Sequence, residues 1–281
     1  QVTFTCGVPT IWMMLYDYLE KGGRHDFSSL KGIASGGSAL PRHLLEQFNE
    51  KYGFPIIQAY GMTETSPLAL AAIPKSYMAD WPEAEKYNVK DSAGLLVMGL
   101  EMKIVDHLDR EVPADGRHWG EILLRGPWIA GEYDRDPERT AATFAGGWLH
   151  TGDVGTIDAE GYVHLVDRTK DLIKSGGEWI SSVDLENAIM AHPLVAEAAV
   201  VGIPHPKWQE RPLGCVVPKP GATVTTEELK AFLKDRVRAA WWIPDDFVML
   251  DQIPKTSVGK FNKKELREMI ADGRIKIPCQ P

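Results

Sequence analysis

Three short apolar runs in the first sixty residues each lead into a glycine-containing polar loop, and helical periodicity fills the gaps between them. Val2 to Cys6 reads as a short buried strand followed by Gly7-Val8-Pro9-Thr10, with Pro9 in a first helical turn, where proline is tolerated. Ile11, Met14, Leu15, Tyr18 and Leu19 then recur at helical spacing until Gly22-Gly23 ends the helix. Lys31 to Ser35 reads as a second strand, followed by Gly36-Gly37-Ser38-Ala39-Leu40-Pro41 and a helix to about Tyr52. Pro55 to Tyr60 is a third strand that runs into Gly61-Met62-Thr63-Glu64-Thr65. Strands alternating with helices imply a largely parallel sheet covered on both faces. Ligands of such sheets bind beyond the carboxyl ends of the strands, where these loops fall.

From about Ala93 to Val166 the pattern changes to short alternating strands: Glu101 to Val105, Gly120 to Arg125 and Gly161 to Val166, with a hairpin turn at Asp158-Ala159-Glu160-Gly161. A small antiparallel, barrel-like unit is expected there, and the polar stretch from Tyr77 to Asp91 reads as a surface excursion. Beyond Lys170 an α+β pattern returns, with a helix over Ser181 to Ala191 and a strand over Ala196 to Gly202. A capping box at Thr225-Thr226-Glu227-Glu228 opens a helix ending near Arg238. Asn262 offers a second helix cap, with Gly273 as its stop. The fold class is thus α/β plus α+β: part of an α/β sheet, a barrel-like antiparallel portion and a C-terminal α+β domain.

At 281 residues the chain is long enough for more than one core. A net charge of −8 argues against a nucleic-acid partner bound by bulk electrostatics, which needs a basic face. It does not exclude anionic cofactors held by local loops. Cys6, Cys215 and Cys279 are widely spaced and in no metal-ligand pattern, which reads as reduced thiols in a cytoplasmic chain. No apolar run approaches the length of a bilayer span; Ser66 to Pro74 and Val195 to Ile203 are the nearest. The opening Gln1-Val2-Thr3 is read as a cut end rather than a native start.

Several loops carry chemistry. Gly147-Trp148-Leu149-His150-Thr151-Gly152-Asp153 reads as a tight polar turn ending in a carboxylate, which can accept both hydroxyls of a ribose or simply cap local amides. Tyr60-Gly61-Met62-Thr63-Glu64-Thr65 offers a hydroxyl and backbone amides for phosphate oxygens and a carboxylate for Mg²⁺, or else a polar turn with a capping Glu. Ser175-Gly176-Gly177-Glu178-Trp179 can bring backbone close to a thin ligand, or can be a plain turn between strands. Gly259-Lys260 suggests a nucleotide P-loop, but Pro254 stands where that motif needs its first glycine, so this reading fails. The histidines lack metal-ligand spacing.

The order and spacing of Gly147 to Asp153 and of Asp167-Arg168-Thr169-Lys170-Asp171-Leu172-Ile173-Lys174-Ser175-Gly176-Gly177-Glu178 resemble the signature of the adenylate-forming enzymes, especially the fatty acyl-CoA synthetases. The resemblance covers nearly the whole chain and implies ligation of a carboxylic acid to CoA through an acyl-adenylate, with ATP, Mg²⁺ and CoA. By resemblance Asp153 binds the ATP ribose with help from Arg168. Tyr60 packs beside adenine within the Gly61 and Met62 loop, Thr63 contacts the α-phosphate region and Glu64 supports Mg²⁺. Gly36, Gly37 and Ser38 match a loop along the adenine and acyl pocket. Pro254-Lys255-Thr256-Ser257-Val258-Gly259-Lys260 resembles the catalytic lysine loop, in which Lys260 bridges the substrate carboxylate and the α-phosphate.

Gly176, Gly177 and Glu178 match a loop beside the pantetheine of CoA, and Lys170 matches a hinge. The division implied is 1–169 as part of a large domain (1–92 α/β, 93–166 barrel-like) and 170–281 as a small mobile lid. The family's Ser/Thr/Gly-rich phosphate loop and acyl-lining aromatic segment are not found in the sequence, and Trp241-Trp242-Ile243-Pro244 replaces the basic residues relatives carry near the CoA nucleotide. The flavour is that of medium- or long-chain fatty-acid ligases, with methylmercaptopropionate-type ligases similar. A homodimer is left open. Other classes compatible with these motifs are a carrier-protein-loading adenylation enzyme, a luciferase-like oxygenase and a non-catalytic nucleotide-binding protein. Against the first, Ser175-Gly176-Gly177-Glu178 stands in place of its usual Arg-Gly-x-Arg-Ile-Glu.

Overall fold

A computed structural model describes residues 1–22, 25–256 and 261–277. The chain separates into two compact units, with the division between Leu165 and Val166. In the first unit, β1 (Phe4–Gly7), α1 (Pro9–Glu20), β2 (Gly32–Gly36), α2 (Arg42–Tyr52) and β3 (Ile56–Tyr60) alternate as expected. The strands pair in parallel in the order β1-β2-β3, with Ile33 opposite Ile56 and Gly36 opposite Ala59. Because the strands add in sequence order, right-handed crossovers put both helices on one face. There Trp12, Leu19, Leu44, Leu45 and Phe48 pack with Ile33 and Ile56. The two-sided cover expected for this sheet is therefore not met among the described residues: Ala34, Ile57 and Ala59, on the opposite face, are half-buried. Val2 to Cys6 is not a buried strand either, since β1 is at the sheet edge and Phe4 is 58% exposed.

The core face of α1 also differs from the expected one. Trp12 and Leu19 are buried, with Leu15 and Tyr16 packed against the same cluster, an i, i+3, i+4, i+7 stripe. Ile11, Met14 and Tyr18 are exposed. Both stripes satisfy helical periodicity, and the wide Trp12 ring, seated against Gly7, decides which one turns inward.

Two short antiparallel strands, β4 (Leu70–Ala71) and β5 (Leu95–Leu96), complete the first sheet. The stretch read as a surface excursion is ordered. It contains a 3-10 turn over Ser76–Asp80 and α3 (Glu83–Lys90), fastened by buried Met78, Val89 and Tyr162. The antiparallel portion is a four-stranded sheet in the order β6 (Glu101–Val105), β7 (Trp119–Arg125), β8 (Leu149–Ile157), β9 (Val163–Arg168), with α4 (Pro137–Thr143) between β7 and β8. Asp136 caps α4 by accepting from the Arg139 amide.

The second unit is built on β10 (Ile173–Ser175), β11 (Glu178–Ile180), α5 (Ser182–Met190), β12 (Val195–His205), β13 (Gln209–Pro218), α6 (Thr226–Leu233), β14 (Asp246–Met249) and α7 (Lys263–Ala271). The middle of the long antiparallel pair β12–β13 is buried on both faces, and there Ala198–Val201 and Leu213–Val216 run continuously without polar side chains. Ala198, Val200 and Val216 face α5 and α6 in one core; Ala199, Val201, Leu213 and Cys215 face Leu266 of α7 in the other. Ser181, Thr225 and Asn262 each cap a helix, but α6 stops at Leu233 rather than near Arg238. Among the described residues, no helix is long and apolar enough to cross a membrane.

Glu186, on α5, is almost fully buried beside the edge strand β12, where its Oε1 accepts the Val200 amide at 2.8 Å and pairs with Lys263 at 2.7 Å. Burial pushes the Glu186 carboxyl up to about 7, against the opposing pull of Lys263 and the Val200 amide, while the nearby Asp167 charge adds to the rise. A folded-state value above the ordinary 4.5 means that the folded unit holds this proton more tightly. The associated stabilisation is complete below about pH 4.5 and is lost as pH rises through about 7. Urea unfolding between these limits is therefore expected to show stability falling with pH, and Glu186→Gln to flatten that fall. Equal slopes in both proteins would contradict the assignment.

Candidate nucleotide site

The carboxyl end of β3 builds the centre of the candidate site. Thr63–Thr65 forms a 3-10 turn held by the buried Thr65 hydroxyl, which donates to the Pro67 carbonyl at 2.8 Å and accepts from the Met62 amide at 2.9 Å. Gly61 allows this tight return: a Cβ there would lie 1.8 Å from the Pro67 carbonyl oxygen. Thr63 is exposed and Glu64 half-buried. The Tyr133 hydroxyl donates to Glu64 Oε1 at 2.5 Å, and the Glu64 carbonyl accepts from the Ala130 amide at 2.8 Å. Burial first, and the hydrogen bond to Glu64 second, push the Tyr133 phenol up, so it stays a donor at neutral pH.

Asp153 meets this loop. The Tyr60 hydroxyl donates to Asp153 Oδ2 at 2.7 Å across a sequence separation of 93 residues. The Thr151-Gly152-Asp153 stretch, expected as a turn, is a bulge inside β8: the pairing with β7 shifts between Glu121 and Leu123, and Gly152 has φ 69°. The extra residues are anchored, because Glu121 Oε1 accepts the Gly152 amide at 3.0 Å and the Thr151 hydroxyl donates to the Ile122 carbonyl at 2.7 Å. The bulge re-aims Asp153 toward β3, which a regular strand would not do. Gly36 ends β2 directly beside Ala59, so Gly36, Gly37 and Ser38 leave the sheet next to Tyr60. Lys103 and Arg125 both lie over the Trp148 ring, at 4.7 and 4.4 Å from its centre, just before β8 begins.

The second unit has the remaining residues. Arg168, exposed at the end of β9, precedes a tight turn in which its carbonyl accepts the Asp171 and Leu172 amides at 2.9 Å each. Lys170 lies in that turn. Gly176 and Gly177, at φ 63° and 86°, make the two-residue hairpin between β10 and β11 that only glycine enters without strain. Glu178 follows at the start of β11, exposed like both glycines. Lys260 lies outside the described residues.

Sequence reasoning missed Tyr133, Glu121 and Thr65. Each acts through a bond to a motif residue; for Tyr133 the partner is 69 positions away, and nothing local marks it. As to metal, one carboxylate with one oxygen held by Tyr133 suits an ion such as Mg²⁺, which keeps waters and takes most of its other ligands from phosphates. No cluster of three or more His, Cys, Asp or Glu able to hold a metal occurs among the described residues.

Residues 1–134 match the AMP-binding enzyme family and residues 184–260 the AMP-binding enzyme C-terminal domain. The chain belongs to this adenylate-forming family. Relatives within it include acid–CoA ligases. It is 51% identical to the long-chain-fatty-acid–CoA ligase of Thermus thermophilus, over 95% of the chain and 49% of that protein. It is 41% identical to the 3-methylmercaptopropionyl-CoA ligase of Ruegeria lacuscaerulensis, over 96% and 50%. The crystal structure of ATP-bound MatB from Rhodopseudomonas palustris superposes with a TM-score of 0.80 at 29% identity, covering 96% of the chain and 51% of MatB. The chain spans about half the length of the curated relatives it matches.

Tyr133→Phe keeps the ring packed against Phe144 and removes only the hydroxyl bond to Glu64. Loss of a part-buried bond to a charged acceptor is expected to lower stability by about 1–2 kcal/mol, measured by thermal unfolding of the variant. No change would mean that water replaces the phenol.

Proposed function

We propose that the complete protein activates a carboxylic acid, in the first instance a medium- or long-chain fatty acid, with ATP and joins it to CoA. The observation that carries this reading is the Tyr60–Asp153 bond, which sets a fixed carboxylate beside glycine loops at the ends of parallel strands. Asp153 would accept the ribose hydroxyls of ATP, Tyr60 would lie against the adenine, and Gly36 to Ser38 would line the same pocket. Thr63 and the amides of its turn would face the α-phosphate. Glu64, oriented by Tyr133, would offer an oxygen to Mg²⁺, whose chemistry when bound is to offset phosphate charge.

In the first half-reaction the acid's carboxylate oxygen attacks the α-phosphorus, the bond to the pyrophosphate leaving group breaks, and acyl-adenylate forms. Lys260 supplies the flexible cation that spreads the growing charge. In the second, the CoA thiolate attacks the acyl carbonyl and AMP leaves. The Gly176-Gly177 hairpin would receive the pantetheine once the second unit turns about Lys170. Arg168 would assist at the ribose. A cytoplasmic location fits this chemistry. The likeness to a 3-methylmercaptopropionyl-CoA ligase makes short thioether acids the first competitors to test.

Acid-dependent pyrophosphate release by the complete protein, across acids of increasing chain length, tests the assignment; ATP binding without release for any acid would point to a non-catalytic protein. Lys260→Ala is expected to slow adenylate formation by about 100-fold or more while leaving thioester formation from preformed adenylate within a few-fold. Undiminished adenylate formation would remove Lys260 from its role.

A further inference from the structure

One carboxylate spans the bulge that aims Asp153. Leu123 of β7 pairs with His150 of β8, so Glu121, two residues earlier on β7, lies on the same face of the sheet as His150. Glu121 Oε2 is 3.1 Å from His150 Nδ1, while Glu121 Oε1 accepts the Gly152 amide at 3.0 Å. A carboxylate only accepts, so the proton of the histidine contact belongs to Nδ1. Both side chains are mostly covered, with 28% of His150 and 24% of Glu121 exposed. Thr151, between the two residues that Glu121 holds, is buried. Its hydroxyl donates to the Ile122 carbonyl at 2.7 Å and accepts the Asp153 amide at 3.1 Å.

The two clamps on the bulge differ in what holds them. The Ile122 carbonyl is part of a strand backbone and needs no further support. Glu121 reaches Gly152 through a side chain with several rotatable bonds, and one amide on one oxygen leaves that chain able to change rotamer. A second donor on the other oxygen fixes the plane of the carboxylate. Gly152, at φ 69°, has little stiffness of its own, so its peptide follows the acceptor that holds it. Asp153 is the next residue.

We propose that His150 is a positioning residue: through Glu121 it holds Gly152, and so sets the direction in which the Asp153 carboxylate meets the hydroxyls of a ribose. This rests on the reading of Asp153 as the ribose-binding group. It assigns a task to a histidine that metal-ligand spacing leaves without one, because the partner that reveals it is 29 positions away.

Asn and Gln separate this role from the filling of space. The amide nitrogen of Asn stands near where Nδ1 does, and that of Gln near where Nε2 does. Equilibrium binding of ATP and of 2′,3′-dideoxy-ATP to the complete protein is compared for His150→Asn, His150→Gln and His150→Ala. The Gln and Ala variants are expected to lose most of an ATP preference of about 10-fold, with dideoxy-ATP bound as before, and the Asn variant to keep that preference. A preference that survives in the Gln variant overturns the proposal. So does weaker binding of both nucleotides together, which is the mark of a merely structural role, or loss of the preference in the Asn variant.

Amide hydrogen exchange supplies a reading independent of the nucleotide. Exchange at Gly152 is expected to quicken in His150→Gln and to stay slow in His150→Asn; an unchanged rate in His150→Gln overturns the proposal. Should His150→Ala not fold, the contrast between Asn and Gln stands by itself. If the unmodified protein shows no preference for ATP, the ribose reading of Asp153 fails, and exchange at Gly152 still decides whether His150 holds the bulge.

Discussion

The hydrogen bond from Tyr60 to Asp153 joins two stretches that the sequence keeps 93 residues apart and that belong to different sheets. Tyr60 is at the end of a parallel strand, where the backbone turns away and leaves room for a ligand. Asp153 comes from an antiparallel strand that would pass by without pointing at anything, had it not a bulge at Thr151-Gly152-Asp153. At the bulge the backbone groups leave the regular ladder and are taken up by Glu121 and the Thr151 hydroxyl. Remove any one of these supports and the carboxylate loses its direction, so the geometry of the site depends on a small polar network rather than on the apolar core beneath it.

The second unit treats charge differently. Its sheet is covered on both faces and spends most of its surface on two apolar cores, yet it buries Glu186, Asp167, Asp171 and Arg211. Arg211 reaches Asp245 at 2.7 Å and the carbonyls of Trp241 and Ile243, fixing the loop that carries the two tryptophans. That accounts for Trp242 as packing, in keeping with its place in the core. Buried pairs of this kind are weak sources of stability but strong sources of geometric specificity when every donor and acceptor is used. Here they fix α5, α7 and the 167–171 segment to one another.

Much of the fold was legible because its signals are local. The strand and helix order through Tyr60 follows from apolar runs and their punctuation, and the caps at Thr225 and Asn262 are short-range chemistry. The errors have physical causes of their own. Helical periodicity gave two acceptable faces for α1, and only the fit of Trp12 beside Gly7 selects one. The stretch from Tyr77 to Asp91 looked polar because Met78 and Val89 are lone anchors in it, each buried against Tyr162, a residue far along the chain. β13 escaped notice since it opens on three polar residues and a proline, Gln209 to Pro212, ahead of its apolar run. For the site, motif residues were recognisable by type and spacing, whereas Tyr133, Glu121 and Lys263 act through long-range bonds that leave no trace in their neighbours.

The claim on which everything rests is that Asp153, aimed by Tyr60, reads the sugar of ATP. Equilibrium binding of ATP and of 2′,3′-dideoxy-ATP to the complete protein, with and without Asp153→Ala, addresses it directly. The unmodified protein should prefer ATP by about 10-fold or more, because two hydroxyl-to-carboxylate bonds are at stake, and Asp153→Ala should bind the two nucleotides alike. A preference that survives the substitution, or one that the unmodified protein never shows, would contradict the account.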